Sequence, residues 1–168
     1  MNDIQCAMTI VAAATLLAGC GAMKSAANGV PNPMTPEQSK AQVIAAAKDV
    51  SRAVAEPVAS ANFSRSSCND QGDGPVRGVV GIFYPSPTDP DAAAAASDQM
   101  SQRIHSAGWS TDSGCQSHGT ALKKDDVDAV LQPADASVVK VQIVLYGQCR
   151  DTTSTKDQAG ISEDIALS

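Results

Sequence analysis

The chain has 168 residues and a formal net charge of -6, from 12 Lys and Arg against 18 Asp and Glu. That length suits one domain with appendages, and the acidic balance argues against a nucleic-acid partner, which needs clustered Lys and Arg. With one Trp, two Tyr and two Phe, a core has to be assembled from Val, Ile, Leu and Ala.

Residues Cys6 to Cys20, CAMTIVAAATLLAGC, form an apolar, small-residue run of 15 positions. A membrane-spanning helix needs ~20, so the run has the length of a signal-peptide apolar region instead. It ends in Leu17-Ala18-Gly19-Cys20, which resembles a bacterial lipobox. The resemblance implies cleavage before Cys20 and a diacylglyceryl group carried on its thiol as a thioether. Residues 1–19 are therefore expected to be a lipoprotein signal peptide and Cys20 the lipidation site. A signal peptide should open on positive charge, whereas MNDIQC has neither Lys nor Arg and carries Asp3. An upstream start codon supplying the basic residues is the expected explanation. Asp3 is the only charged residue before Cys20, so the processed chain keeps 12 basic and 17 acidic residues. One acyl chain binds a bilayer marginally and two anchor stably. Cys20 is thus expected to hold the protein on the extracytoplasmic face of the cell membrane without help from protein charge.

The linker GAMKSAANGVPNPM, Gly21 to Met34, is small, polar and broken by Pro and Gly, so residues 20–34 are expected to be the lipidated Cys and a flexible spacer. Thr35-Pro36-Glu37-Gln38 carries the marks of a capped helix start. Val43, Ala47, Val50 and Val54 follow on one stripe, placing a helix at about 36–56. The stretch ASANFSRSSCNDQGDGP reads as a loop. VRGVVGIFY, Val76 to Tyr84, reads as a strand whose Gly78 and Gly81 imply a bulge or close approach by a neighbour. Asp89-Pro90 begins a second helix, with Ala93, Ser97, Met100, Ile104 and Ala107 on one face and Gly108 as its stop. Trp109 to Cys115 is a weak strand. TALKKDDVDAVLQP reads as a hairpin turning near Lys124-Asp125, with Val127, Ala129 and Leu131 on one side. In SVVKVQIVLYGQC, Val139, Val141, Ile143 and Leu145 alternate with Lys140 and Gln142, the clearest strand of the chain. Residues 151–168 read as a polar, flexible tail in which ISEDIALS could add a short helix.

The element order α-β-α-β-β-β, with one apolar sheet face, predicts an α+β two-layer sandwich: helices on one face of a mostly antiparallel sheet, over residues 35–150. With Cys68 before the Val76 strand, Gly108-Trp109 closing the second helix and Gly147-Gln148-Cys149 closing the last strand, the chain resembles small lipoproteins of mycobacteria and other actinobacteria. That resemblance implies extracytoplasmic anchoring and a helix-on-sheet domain, and says little of activity. Export permits disulfides. With Cys6 removed and Cys20 acylated, Cys68, Cys115 and Cys149 allow three pairings. Cys68 and Cys149 can meet at one sheet edge if the strands they flank are neighbours, and the resemblance favours the same pair. A Cys68–Cys149 bridge is therefore expected, with Cys115 left as an odd, buried thiol.

Candidate chemistry is sparse. Cys115 and His118 lie three apart and His105 is the only other imidazole, too few ligands for zinc. A Cys115–His118 nucleophile pair has no Gly-rich oxyanion motif beside it. Asp125, Asp126 and Asp128 do not match an EF-hand spacing and read as a charged turn. Ser154-Thr155-Lys156 lies in the polar tail. No catalytic residue, metal or cofactor is expected. The expected function is a lipid-anchored accessory or binding module of the cell envelope, meeting an envelope protein or lipid. The alternatives are an interaction lipoprotein without a small ligand and, further off, an envelope enzyme. An apolar cavity between helices and sheet separates the first from the second; a cleft joining Cys115 and His118 points to the third.

Overall fold

The computed structural model describes residues 29–69, 74–113, 119–132, 140–155 and 158–167. Helix α1 spans Pro36–Val54. Its Thr35 hydroxyl accepts from the Gln38 backbone and the Gln38 side chain accepts from the Thr35 backbone, the reciprocal box that the sequence implied. Helix α2 spans Pro90–Ser106, with the Asp89 carboxylate accepting from Ala92 N–H at 2.8 Å. Gly108, at φ +91°, lets the chain leave α2 through the left-handed region that a side chain would resist.

The strands are β1 (Ser60–Ser67), β2 (Val76–Pro85), β3 (Ser110–Thr111), β4 (Thr120–Lys124), β5 (Val127–Gln132), β6 (Lys140–Tyr146) and β7 (Glu163–Asp164). They form one sheet in the order β3-β4-β5-β6-β2-β1-β7, every neighbouring pair antiparallel. After β2 the chain passes through α2 to the far edge and returns as the meander β3-β4-β5-β6, which ends beside β2. Both helices lie on one face, giving a two-layer sandwich. Val43, Val50 and Val54 of α1 and Met100 and Ile104 of α2 meet Val80, Ile82, Leu131, Ile143 and Leu145 of the sheet in one cluster. These aliphatic side chains are essentially closed to solvent and supply most of the stabilisation, at ~1.5–3 kcal/mol for each Val, Leu or Ile fully buried.

Gly78 is where α1 comes closest. A Cβ there would lie 2.9 Å from Val43 Cγ1 and 3.0 Å from Ser39 O. The buried Ser39 hydroxyl accepts from Gly78 N–H at 3.0 Å, so helix and sheet are joined by a hydrogen bond that needs this close approach.

Four segments differ from the sequence reading. Residues 60–67, read as loop, are strand β1, hydrogen-bonded to β2 along its whole length. Only Ala61 and Phe63 of this strand are buried, so it carries too little apolar alternation to show as a strand. The strand read at Trp109 to Cys115 contracts, within the described residues, to Ser110–Thr111, while Trp109 is buried in the core. The end of the spacer already belongs to the domain: Val30 is buried and Met34 N–H donates to Arg150 O at 2.9 Å. The tail does too. Its short β7 pairs with β1, where a helix was the alternative, and Ile165 and Leu167 pack against the core. Asp151 is buried, its carboxylate accepting from the backbone and hydroxyl of both Thr153 and Ser154.

Candidate functional site

Three of the clefts on the described surface differ in how their polar groups are used. The first, about 420 Å³, lies between α1 and the β4–β5 turn. Asp49 Oδ2 there accepts from Lys124 Nζ at 2.8 Å and from Trp109 Nε1 at 3.1 Å, and Lys124 also donates to Ala107 O at 3.0 Å. The Lys124 hydrogen bond, with Trp109 and Arg52 adding to it against desolvation, holds the Asp49 carboxyl below its ordinary value. These groups clamp α1, the end of α2 and β4 together.

The second cleft, about 410 Å³, sits at the opposite end, under Pro57, Pro85, Pro87 and Met100. Arg103 at its rim donates to Val54 O at 2.6 Å and to Glu56 at 2.8 Å. The guanidinium thereby caps a free carbonyl at the C-terminus of α1.

The third, about 360 Å³, opens on the sheet face away from the helices, where the spacer joins the domain. It is built by register. Lys123 on β4, Asp128 on β5 and Tyr146 on β6 form a row, Asp128 opposite both of the others, and on β2 Val79 lies opposite Tyr146 with Arg77 two positions before it on the same face. The Arg77 guanidinium lies 4.6 Å from the centre of the Tyr146 ring, a cation–π contact that fixes its plane. Gln148, just past β6, donates its amide to Asp126 Oδ2 at 2.7 Å. Lys123 Nζ is 3.2 Å from Asp128 Oδ1. Val30 and Pro31 form one wall. Sequence reading met Gln148 only inside Gly147-Gln148-Cys149 and singled out none of Arg77, Tyr146 or Lys123. They are scattered along the chain in no motif, and only strand pairing aligns them.

Cys68 and Cys149 form a disulfide with Cα atoms 6.0 Å apart. The sequence argument placed Cys68 beside the Val76 strand, and the geometry has one more strand in it. Cys68 directly follows β1 and its N–H donates to Pro75 O at 3.0 Å, while Asp151 exchanges backbone hydrogen bonds with Val76 from the other side. The bridge closes over the start of β2, next to the third cleft. His105 sits near the C-terminus of α2, its Nε2 2.9 Å from Thr111 Oγ1. Ser154 is tied to Asp151. Asp125 and Asp126 are the two positive-φ residues of the β4–β5 turn, at 48° and 61°, as expected for a tight hairpin. Cys20, Cys115 and His118 lie outside the described residues, and so does any cleft joining the last two. Among the described residues no group of His, Cys, Asp and Glu could hold a metal ion, and no helix is long and apolar enough to cross a membrane.

A family model described as "Putative lipoprotein LppJ" matches residues 35–168, from the α1 cap through the tail. The chain belongs to the LppJ lipoprotein family. The proteins of that name from Mycobacterium bovis and from Mycobacterium tuberculosis H37Rv are 35% and 34% identical to it over 159 residues, covering 88% of this chain and 82% of theirs. No solved structure matches. Membership of the LppJ family makes the chain a membrane lipoprotein, and the matched span treats the tail as part of the domain.

Proposed function

We propose that the protein is an accessory or binding module held by Cys20 on the extracytoplasmic face of the membrane, where it meets an envelope protein or lipid and performs no chemistry of its own. The observation that carries this reading is the Cys68–Cys149 bridge beside the point where the spacer enters the domain. Disulfides form and persist in oxidising compartments, so a domain fastened by one at its tethered end suits the outer side of the membrane. The ionisable groups of the first two clefts are engaged in holding elements together, which supports binding over catalysis.

The test combines fractionation with thiol trapping in living cells. The wild type is expected in the detergent phase with the N-terminal mass of a lipidated Cys20, with Cys68 and Cys149 closed to alkylation. Cys20→Ser is expected to stay unprocessed. A photo-crosslinker placed on the sheet face of the full-length protein should give a discrete adduct with one envelope component. Wild-type protein in the aqueous phase with residues 1–19 attached, or with both thiols reactive, defeats the anchoring. A purely architectural lipoprotein gives no adduct.

A further inference from the structure

We propose that the cleft at the tethered end binds a hydroxyl-rich ligand, a glycan of the cell envelope. This rests on the binding-module reading above and names the ligand class. The cleft differs from the other two in holding buried polar atoms that make no hydrogen bond. Arg77 Nε, a donor, and Gln148 Oε1, an acceptor, both lack one, and Asp128 Oδ1 beside them is engaged by the Lys123 ammonium alone, at 3.2 Å. Gln148 cannot turn its acceptor away, because its amide nitrogen is held by Asp126 and its backbone N–H by Gln42 Oε1 at 3.1 Å. Arg77 cannot swing out without leaving the Tyr146 ring. Buried polar groups are ordinarily satisfied, so a donor and acceptors fixed around one cleft favour a ligand that supplies both.

Charge narrows the class. Arg77, Lys123 and Arg150 line the cleft together with Asp126 and Asp128. A phosphate would face two carboxylates, and a metal ion would face three cations. A hydroxyl group donates and accepts at once, so a neutral polyol can meet Arg77 Nε, Gln148 Oε1 and Asp128 Oδ1 with no charge opposed. The apolar wall of Val30 and Pro31 suits the C–H face of a sugar ring, and about 360 Å³ lies in the range of small-ligand sites, ~300–1,000 Å³. Val30 is ten residues from Cys20, at most ~33–36 Å of extended chain. Both a glycolipid headgroup and a free polysaccharide strand are within reach of that leash.

The experiment uses the full lipidated protein in nanodiscs, read by hydrogen exchange of the segments carrying Arg77 and Gln148. Maltotriose and cellotriose are added to discs of phosphatidylglycerol, and separate discs contain digalactosyldiacylglycerol. Inorganic phosphate and magnesium are the charged controls. Protection by a free trisaccharide identifies a polysaccharide ligand, and protection in glycolipid discs alone identifies a headgroup; either supports the proposal. Asp128→Asn and Gln148→Leu should each weaken the protecting interaction about tenfold, while Arg103→Gln at the distant cleft leaves it unchanged. Near-ultraviolet circular dichroism and an intact Cys68–Cys149 bridge certify the folding of each variant, and Asp128→Asn preserves side-chain shape. The proposal is overturned if neither glycan arm protects, so that the cleft holds water only, if phosphate protects as strongly, or if both variants bind like the wild type. A protein that cross-links to an envelope component yet shows no glycan-dependent protection loses this inference and remains a binding module.

Discussion

Replacing either half of the Cys68–Cys149 bridge tests how far this domain depends on its compartment. The two cysteines are 81 residues apart in sequence, so the bridge closes a long loop in the unfolded chain. In the chain-entropy treatment such a loop is worth ~4.5 kcal/mol, taken wholly from the freedom of the unfolded state. Whole domains are stable by only ~5–15 kcal/mol, and the core of this one has three rings, Phe63, Tyr84 and Trp109, among aliphatic side chains. Cys68→Ser and Cys149→Ser should therefore each lower the midpoint of thermal unfolding by on the order of 10–20 °C. Because both remove the same bond, the double variant should cost little more than either single one. Urea unfolding of the oxidised wild type and the three variants, with the bridge mapped by unreduced peptide digestion, gives the free energies directly. Singles that lose under ~1 kcal/mol, or a double variant whose loss equals their sum, would refute the loop-closure reasoning.

Two further outcomes follow from particular contacts. Gly78→Ala forces a methyl against Val43 Cγ1 at 2.9 Å and Ser39 O at 3.0 Å, so α1 has to shift; a loss of ~1–3 kcal/mol is expected in urea unfolding, and an unchanged midpoint would show that α1 does not sit as described. At Asp151, burial raises the carboxyl pKa but is outweighed by hydrogen bonds from Ser154 and Thr153, which leave it below 3.8; a depressed folded pKa means stability that is present above the unfolded value of 3.8 and lost as pH falls through the folded one. Acid titration should thus show the wild type losing stability below about pH 4, and Asp151→Asn should lose ~1–3 kcal/mol at neutral pH with a flatter acid limb; an acid limb unaltered by the substitution would remove Asp151 from that account.

Much of the architecture was legible in the amino-acid sequence because its signals are local. The Thr35–Gln38 box, the Val43-Ala47-Val50-Val54 stripe, the Asp89-Pro90 start and the alternation of Val141, Ile143 and Leu145 each lie within one or two turns or strands, and each is where the structure has it. The resemblance of Leu17 to Cys20 to a lipobox is equally local and is read without reference to any fold. Strands β1 and β7 escaped because their hydrogen bonds come from partners elsewhere in the chain, while their own residues, Ser60–Ser67 and Glu163–Asp164, are mostly polar. The tethered-end cleft escaped for the same reason, more strongly. Arg77, Lys123, Asp128 and Tyr146 have no shared spacing, and only strand pairing sets Lys123, Asp128 and Tyr146 in one row with Arg77 diagonal to it. Periodicity along the chain reports which face of an element is apolar. It carries no information about which strands pair, and pairing decides where side chains distant in sequence can act together.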